Sequence, residues 1–460
     1  MMGNAAIWSR RQWLAAAGTG AAASVSQPAK RLPNFVILFA DDLGWGDLGC
    51  YGHPLIRTPN LDSMAAGGAR FTSFYAAAPV CTPSRAGLLT GRYPIRAGQP
   101  GNTGPDTVGG LPLSEVLLPQ VLKPLRYRTM AIGKWHLGFQ PEEYLPVRRG
   151  FDSWLGLPYS NDMIPPWVKT DRPLRLYRDA EAVREVKEQD DLTPMHTEEA
   201  VRFIRENRQQ PFFLYLAYSM PHLPVSAPAR MRGRSRGGLY GDVIETLDWS
   251  AGEIRRTLEE LKLDRDTLVV FASDNGPWHN LPARMLAGGV EPWHTGSAGP
   301  LRGAKGTTWE GGPRVPAIFW QPGRVRPQTV FDMASTLDLL PTLAAMAGAK
   351  LPEGRVLDGF DLRGTLERGE PSPRQEFFYC LDKRLEGVRQ GPWKLRHAAG
   401  GAPELFHLER DPSERYDVAV REPELVRKLE TRLREFAREI GAAHATMEAG
   451  TRAPAEESPR

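Results

Sequence analysis

Four uninterrupted apolar runs along the chain predict β-strands that are buried on both faces. They cover residues 34–40, 128–133, 212–218 and 267–273. Runs of this kind are typical of the central strands of a parallel sheet. Helical patterns lie between them, clearest over residues 244–261, where apolar residues recur every three or four positions. The alternation predicts an α/β fold in which a large, mostly parallel sheet is sandwiched by helices.

Polar and charged residues follow each of these four runs. In open α/β sheets, ligands bind just beyond the carboxyl ends of the strands, so these side chains are expected to meet at one edge. In chain order they are Asp41, Asp42, Lys134, His136, His222, Asp274 and Asn275.

The pattern changes after about residue 345. Residues 376–380, 386–388 and 393–395 indicate short strands joined by close turns, and an apolar stripe from Leu425 to Ile440 indicates one amphipathic helix. We therefore expect a main domain over residues 33–345 and a smaller C-terminal α+β domain, with an antiparallel sheet, over residues 346–445. Residues 446–460 are expected to form a disordered tail.

The composition narrows the possible functions. Lys and Arg number 58 against 54 Asp and Glu, and a net charge of +4 without basic runs gives no support for a nucleic-acid binder. With three cysteines, Cys50, Cys81 and Cys380, the chain has no disulfide framework. Cys50 and Cys380 are expected to be packed thiols.

The N-terminus has the pattern of an export signal. Arg10 and Arg11 precede a mildly apolar stretch over residues 14–25, which is typical of a bacterial Tat signal over residues 1–26. A disordered cytoplasmic tail is the alternative. The stretch is too short for a membrane anchor. The pattern predicts export through the Tat machinery to the periplasm or the exterior.

Residues 81–85, Cys-Thr-Pro-Ser-Arg, carry the most informative local pattern. Pro83 suits the first turn of a helix, so Cys81 is expected at a helix N-terminus, where partial positive charge favours an anion. Arg85 follows four residues later and lies on the same helix face. Alone, this pattern would also fit a buried structural cysteine beside a surface arginine.

With the segment that continues to Arg92, this pattern resembles the signature of the type I, formylglycine-dependent sulfatase family. Further matches bring the resemblance to roughly residues 33–345, and it is nearest to arylsulfatase A and the N-acetylgalactosamine-6-sulfatases. It implies an alkaline-phosphatase-like fold and hydrolysis of sulfate esters. The matching segments are residues 41–47, 133–138, 156–160, 273–276, 303–306 and 309–312.

The resemblance also implies one divalent metal. Its ligands would be Asp41, Asp42, Asp274, Asn275 and the modified Cys81. These side chains offer oxygen atoms, which suit Ca²⁺ or, as the alternative, Mg²⁺. Three crowded carboxylates would repel one another unless a cation compensates them.

The implied chemistry begins with oxidation of Cys81 to formylglycine by a dedicated maturation enzyme. The hydrated aldehyde attacks sulfur. His222, with Lys305, protonates or stabilises the leaving oxygen. His136 then removes a proton so that sulfate departs. Arg85, Lys134 and Lys305 complement the charge of the sulfate, which Ser160 also contacts.

Two alternatives remain open at this point. One is a phosphonate or phosphate-ester hydrolase of the same superfamily, and the other is an inactive relative that binds sulfated glycans. The alcohol half of the substrate is not identified, although the resemblance to hexosamine sulfatases favours a sulfated saccharide. Trp278, His279, Trp293 and His294 either line the substrate pocket or simply pack.

Overall fold

The fold is given by a computed structural model that describes Met1 and residues 31–397 and 401–444. The predicted tail over residues 446–460 and all but the first residue of the predicted signal over residues 1–26 lie outside these ranges. In the described part of the chain, no helix has both the length and the apolar character needed to cross a membrane.

The described residues form three sheets and seven α-helices. The strands are β1 (Asn34–Ala40), β2 (Ala69–Tyr75), β3 (Gly109–Gly110), β4 (Arg128–Lys134), β5 (Gly138–Gln140), β6 (Ser153–Leu157), β7 (Arg175–Arg178), β8 (Glu181–Glu185), β9 (Phe212–Ala217), β10 (Thr267–Ser273), β11 (Arg314–Trp320), β12 (Gln328–Ser335), β13 (Glu376–Leu381), β14 (Arg384–Gln390), β15 (Trp393–Arg396), β16 (Glu404–His407) and β17 (Ala443–His444). The helices are α1 (Pro59–Ala66), α2 (Cys81–Thr90), α3 (Leu118–Leu122), α4 (Leu192–Glu206), α5 (Gly238–Glu260), α6 (Leu339–Ala347) and α7 (Pro423–Ile440).

The largest sheet has ten strands in the order β12-β2-β11-β10-β1-β9-β4-β6-β7-β8. Its five central strands, from β10 to β6, are all parallel. The flanking strands are antiparallel to their neighbours, except that β12 runs parallel to β2. The predicted parallel centre is thus confirmed, and the two flanks are antiparallel additions that the apolar runs did not reveal.

Helices cover both faces of this sheet because β1 and its neighbours are apolar on both sides. Val36 and Leu38 of β1 share a core with Ile244 and Leu247 of α5 on one face. On the other face, the ring of Phe39 lies 5.6 Å from the guanidinium carbon of Arg85 in α2. The α/β sandwich expected from the sequence is therefore present.

A second, smaller sheet is formed by the C-terminal part of the chain. Strands β13, β14, β15 and β16 are antiparallel in that order, and the short β17 pairs in parallel with β14. Helix α7 packs on it through Leu429, Leu433 and Phe436, in a core that also contains Tyr93 and Leu337. The predicted antiparallel sheet is confirmed, whereas the domain boundary near residue 345 stays a prediction.

The parallel centre positions the polar residues. Each of its five strands is followed, within a few residues, by a side chain that the sequence singled out. Because parallel strands end at one edge of a sheet, all five residues arrive on the same side. They are Asp41 after β1, Lys134 at the end of β4, Ser160 after β6, His222 after β9 and Asp274 after β10.

Candidate active site

Cys81 occupies the first position of α2, as its pattern predicted. Its side chain is buried, and its Sγ lies 3.6 Å from Asp41 Oδ1. Burial raises the pKa of this thiol, with nearby Lys134 and Lys305 opposing the rise only in part. The thiolate form is therefore disfavoured, and an unmodified Cys81 would be a poor nucleophile.

Three buried carboxylates pair with three cations around this cysteine. Their formal charges are equal in number and opposite in sign, so these cations reduce the repulsion expected among the carboxylates. The shortest contacts are Arg85 Nη2 to Asp274 Oδ2 at 2.8 Å, Lys134 Nζ to Asp41 Oδ2 at 2.7 Å and Lys305 Nζ to Asp42 at 2.9 Å.

The surroundings treat two of the carboxylates differently. Burial raises the pKa of Asp41, but the charge of Lys134, followed by His222 and Arg85, outweighs it and leaves the pKa lowered. For Asp274, burial and the negative charge of Asp41 raise the pKa despite the bonds from Arg85. Of these two carboxylates, Asp41 is the one that its surroundings favour in the ionised form.

The residues present fit a divalent cation because of the donor atoms they leave available. Asp41, Asp42, Cys81 and His222 each offer a ligand atom, and these atoms all lie within 4.8 Å of one another. Asn275 donates from Nδ2 to Asp42 Oδ1 at 2.7 Å, whereas its buried Oδ1 accepts no hydrogen bond. A buried carbonyl oxygen without a partner costs free energy unless a ligand or ion satisfies it. This oxygen-rich set suits Ca²⁺ or Mg²⁺.

Asp274 stands at the edge of this group. Its Oδ1 accepts the backbone N–H of Asp42 at 3.1 Å, and its Oδ2 accepts two bonds from Arg85. Glycine at position 276 lets the next segment approach, since a Cβ there would lie 1.8 Å from the carbonyl oxygen of Gly311. The segment after β10 is therefore fixed in place beside the metal candidates.

His136 is held as a neutral base. Its Nε2 lies 2.8 Å from the carbonyl oxygen of Thr103, which can only accept, so Nε2 carries the proton. Its Nδ1 is buried and has no hydrogen-bond partner. Burial, together with the charges of Lys134 and Arg85, holds the pKa of His136 well below its usual value. At neutral pH Nδ1 is therefore unprotonated, and its lone pair is available to a reacting group.

His222 has the opposite arrangement of its ring nitrogens. Nδ1 donates to the carbonyl oxygen of Leu223 at 2.6 Å. Nε2 faces the site, 3.4 Å from Ser160 Oγ and 3.5 Å from Asp42 Oδ2. Ser160 Oγ also accepts a bond from Lys134 Nζ at 3.1 Å. Ser160 and His222 therefore belong to the same contact network as the carboxylates and the lysines.

The structure brings together ten of the eleven residues selected from the sequence through direct contacts. His136 joins them indirectly, because Thr103 bonds its ring and donates its backbone N–H to Thr82 Oγ1 at 3.2 Å. Sequence reasoning missed the carbonyl groups of Thr103 and Leu223, which no side-chain pattern can reveal. It also missed Asp162, whose Oδ1 lies 4.0 Å from His222 Nδ1 and whose position two residues after Ser160 was a usable signal.

Comparisons with known proteins show which family the chain is similar to. Residues 33–349 match the protein-family model described as Sulfatase. Human arylsulfatase A is 40% identical over 449 residues, covering 87% of this chain and 86% of that protein. N-acetylgalactosamine-6-sulfatase of Rattus norvegicus is 39% identical over 447 residues, covering 86% and 82%. A solved structure from work on glycosaminoglycan metabolism by Bacteroides thetaiotaomicron matches with a TM-score of 0.78 and 29% identity, covering 88% of this chain and 99% of that one.

Proposed function

The chain belongs to the sulfatase family, and from this premise we propose that it hydrolyses sulfate esters with a formylglycine made from Cys81 beside one divalent cation. The observation that carries the proposal is the position of Cys81. It begins a helix, 3.6 Å from Asp41, inside a ring of three carboxylates and three cations. Such a site can bind an anion at the nucleophile and a metal next to it.

Formation of formylglycine requires a maturation enzyme as a partner. The buried thiol of Cys81, with its raised pKa, is a weak nucleophile. An aldehyde at this position, once hydrated, supplies two hydroxyl groups on one carbon, of which one attacks sulfur and the other allows the sulfate to be expelled. Because Cys81 is buried in the fold, we expect its oxidation to precede folding.

We propose that Ca²⁺, or Mg²⁺ as the alternative, is held by Asp41, Asp42, Asp274, Asn275 and the modified residue 81. When bound, such an ion lowers the pKa of a hydroxyl group and polarises a sulfate oxygen. The unpartnered Oδ1 of Asn275 supports this assignment. Since the side-chain charges already cancel, a divalent cation gives the site a net positive charge that suits a sulfate ester.

The chain's own cations bind the sulfate group. Arg85 and Lys134 are fully buried, and Lys305 is 8% exposed, so their positions are fixed before substrate arrives. Positive charge that is fixed in advance stabilises the negative charge spread over the sulfate oxygens in the transition state. Ser160 Oγ, which accepts a bond from Lys134 Nζ at 3.1 Å, adds a polar contact beside this lysine.

Two histidines divide the proton transfers. His222 directs Nε2 into the site and, with Lys305, serves the leaving alcohol oxygen. His136 keeps Nδ1 free, and we assign it to take the proton that must leave when the aldehyde is restored and sulfate departs. The bond from His222 Nδ1 to Leu223 leaves Nε2 to carry the additional proton that a donor must deliver, whereas the bond from His136 Nε2 to Thr103 leaves Nδ1 to accept one.

We propose a sulfated saccharide as the substrate. The relatives named N-acetylgalactosamine-6-sulfatase, and the structural neighbour from work on glycosaminoglycan metabolism, support this class. An aryl sulfate is the convenient assay substrate, since human arylsulfatase A is also similar to this chain.

Turnover of nitrophenyl sulfate and nitrophenyl phosphate by the purified, metal-loaded protein tests the reaction type. We expect the sulfate ester to be hydrolysed with the higher kcat/KM. Hydrolysis of the phosphate alone would show a phosphate-ester hydrolase instead. Binding of sulfated glycans without hydrolysis of any sulfate ester would show an inactive relative.

We further propose that the protein is exported by the Tat route, so that the modified and folded enzyme acts outside the cytoplasm. The residues concerned, Arg10 and Arg11, lie outside the described part of the chain. Changing both to Lys should retain the precursor in the cell. Unchanged export of that variant would argue for another route.

A further inference from the structure

We propose that Trp278 is a positioning residue that fixes Lys305 and His222 against the leaving oxygen, and that the site is thereby adapted to esters of unactivated alcohols such as saccharides. The inference rests on the proposed sulfatase function. The inference adds Trp278, which lies outside the polar contact network, to the residues that matter for catalysis. It also gives a reason why the indole matters for one class of substrate.

Lys305 has two neighbours that fix its ammonium group. Nζ lies 2.9 Å from the Asp42 carboxylate and 4.4 Å from the centroid of the Trp278 ring. The four-carbon stem of a lysine is flexible, so an ion pair alone leaves several positions open to the ammonium group. The indole face attracts the same cation from a second direction and so narrows its range.

The same indole also contacts His222. The two rings lie 5.6 Å apart between centroids and are tilted by 51°. Nδ1 of His222 is bonded to Leu223, so the remaining freedom of the imidazole is a movement of the Nε2 edge, which the indole restricts. Trp278 thus contacts both groups assigned to the leaving oxygen. Among the described residues, the cations over its ring are Lys305 and Arg284, and neither Arg85 nor Lys134, which are assigned to the sulfate, lies over it.

The position of Trp278 agrees with this role. It is half-buried, between the buried Asn275 and the exposed His279 and Asn280. Exposure therefore rises along this segment from the metal candidates outward, on the side where Lys305 is the most exposed of the three site cations. The alcohol half of a substrate, which must extend from the buried sulfate toward solvent, would leave past this ring.

The chemistry explains why such positioning favours one class of ester. When the nucleophile's oxygen forms its bond to sulfur, the bond from sulfur to the alcohol oxygen breaks and its electron pair stays on that oxygen. A nitrophenolate is stable with this charge. A saccharide alkoxide is not, and it needs a proton from His222 or Lys305 as the bond breaks. The contribution of Trp278 should therefore grow with the basicity of the leaving group.

The test compares kcat/KM for a sulfated monosaccharide and for nitrophenyl sulfate in the full-length, metal-loaded protein. For Trp278→Ala we expect the saccharide rate to fall about 10-fold or more beyond any fall in the nitrophenyl rate, as a partial loss of general-acid catalysis implies. Trp278→Phe keeps an aromatic face and should keep most of the wild-type ratio. Trp278→Leu fills space without such a face and should resemble the alanine variant.

Trp249 provides the matched control. It is also half-buried beneath a cation, with the guanidinium carbon of Arg230 4.0 Å from its ring centroid, and it lies in α5, which carries none of the residues assigned to catalysis. Trp249→Ala should leave the ratio of the two rates unchanged. Thermal unfolding of each variant reports on folding. If the alanine variant is unstable, Trp278→Leu replaces it in the comparison of the two rates.

Several outcomes would overturn the inference while leaving the sulfatase function intact. They are an equal loss on both substrates in the alanine and leucine variants, a leucine variant that behaves like phenylalanine, and a wild-type enzyme that hydrolyses nitrophenyl sulfate but no sulfated saccharide. A wild-type protein that hydrolyses no sulfate ester at all would instead refute the proposed function.

Discussion

Two of the buried clusters of charged residues in the described part of the chain differ in how their polar groups are paired. The first is the candidate active site. The second, the inter-sheet cluster, lies between the large sheet and the C-terminal sheet and consists of Tyr75, Glu310, Tyr379, Arg389, Lys394 and Glu414. Both clusters contain a fully buried lysine paired with a carboxylate.

The inter-sheet cluster pairs both of its carboxylates with cations. Glu310 accepts hydrogen bonds from Tyr75 on Oε2 and from Tyr379 on Oε1, both at 2.6 Å. Lys394 Nζ lies 3.1 Å from Glu310 and 2.6 Å from Glu414, and it also donates to the carbonyl of Thr308. The partners come from both sheets, so this cluster ties the two sheets together.

The candidate active site, in contrast, contains buried acceptor atoms without hydrogen-bond partners. These atoms are Asn275 Oδ1 and His136 Nδ1. The charges of the side chains around them cancel one another. A buried polar atom without a partner costs free energy unless water, an ion or a ligand satisfies it. The difference teaches that buried ion pairs alone do not mark an active site, since such pairs also join the two sheets, and that the candidate site adds two unpartnered acceptors to its ion pairs.

The strongest test of this comparison is Cys81→Ala. We expect kcat for nitrophenyl sulfate to fall by roughly 10³-fold or more, because the nucleophile is lost, while the melting temperature changes little. Sulfate release and thermal unfolding, measured on the same preparation, check both parts. A variant that keeps its turnover would remove Cys81 from the mechanism.

In the inter-sheet cluster, Lys394→Met should lower stability and leave activity nearly unchanged, the reverse of the result expected for Cys81→Ala. Removing this lysine leaves Glu310 and Glu414 buried without their cation, and breaking a buried pair costs about 3–5 kcal/mol of unfolding free energy. The kcat/KM of the protein that remains folded should stay near the wild-type value. Denaturant unfolding and steady-state kinetics measure the two. Unchanged stability, or a selective loss of kcat/KM, would contradict a purely structural role.

Removal of the metal should affect both activity and stability. Treatment with a chelator is expected to abolish turnover and to lower the unfolding free energy by about 3 kcal/mol relative to protein with cation at a hundred times its Kd. Re-addition of Ca²⁺ should restore both turnover and the unfolding free energy. The Lys394→Met variant should show the same dependence of both quantities on Ca²⁺. A melting temperature that does not depend on chelator or Ca²⁺ would argue against the metal site.

The smallest expected effect is the acid dependence of the inter-sheet cluster. Burial opposes ionisation of Glu310, but Lys394, Arg314 and Arg389 outweigh it and lower its pKa to about 2. A carboxyl with a lowered pKa contributes stability above its unfolded pKa and loses it as the pH falls toward the folded value.

We therefore expect the stability advantage of the wild type over Glu310→Gln to shrink by about 2–3 kcal/mol between pH 5 and pH 2, from ~1.4 kcal/mol per pKa unit. Glu414, whose pKa burial raises, acts in the opposite direction in both proteins. Urea unfolding across this pH range measures the difference. A constant difference would show that Glu310 is not held ionised by its neighbours.

The sequence allowed the centre of the fold and most of the site to be predicted, because both depend on local patterns. The apolar runs that became β1 and β10 have the predicted bounds, and the polar residue after each strand needed no knowledge of distant partners. The antiparallel flanks were not predicted, because strands such as β7 and β8 are partly exposed and carry no continuous apolar run.

The inter-sheet cluster was also missed, for a different reason. Glu310 lies 84 residues from Lys394 and 235 from Tyr75. Only the folded chain brings such distant groups together, and each alone has the pattern of an ordinary polar or aromatic residue. For the same reason the carbonyl of Thr103, which sets the tautomer of His136, could be found only in the structure.

The central claim is that residue 81 becomes an aldehyde, and peptide mass spectrometry tests it most directly. The sample is protein that hydrolyses nitrophenyl sulfate, digested and analysed for the peptide containing positions 81–85. The account predicts that this peptide has lost the sulfur of Cys81 and gained a carbonyl oxygen in its place. An active preparation in which Cys81 is entirely an unmodified thiol would contradict it.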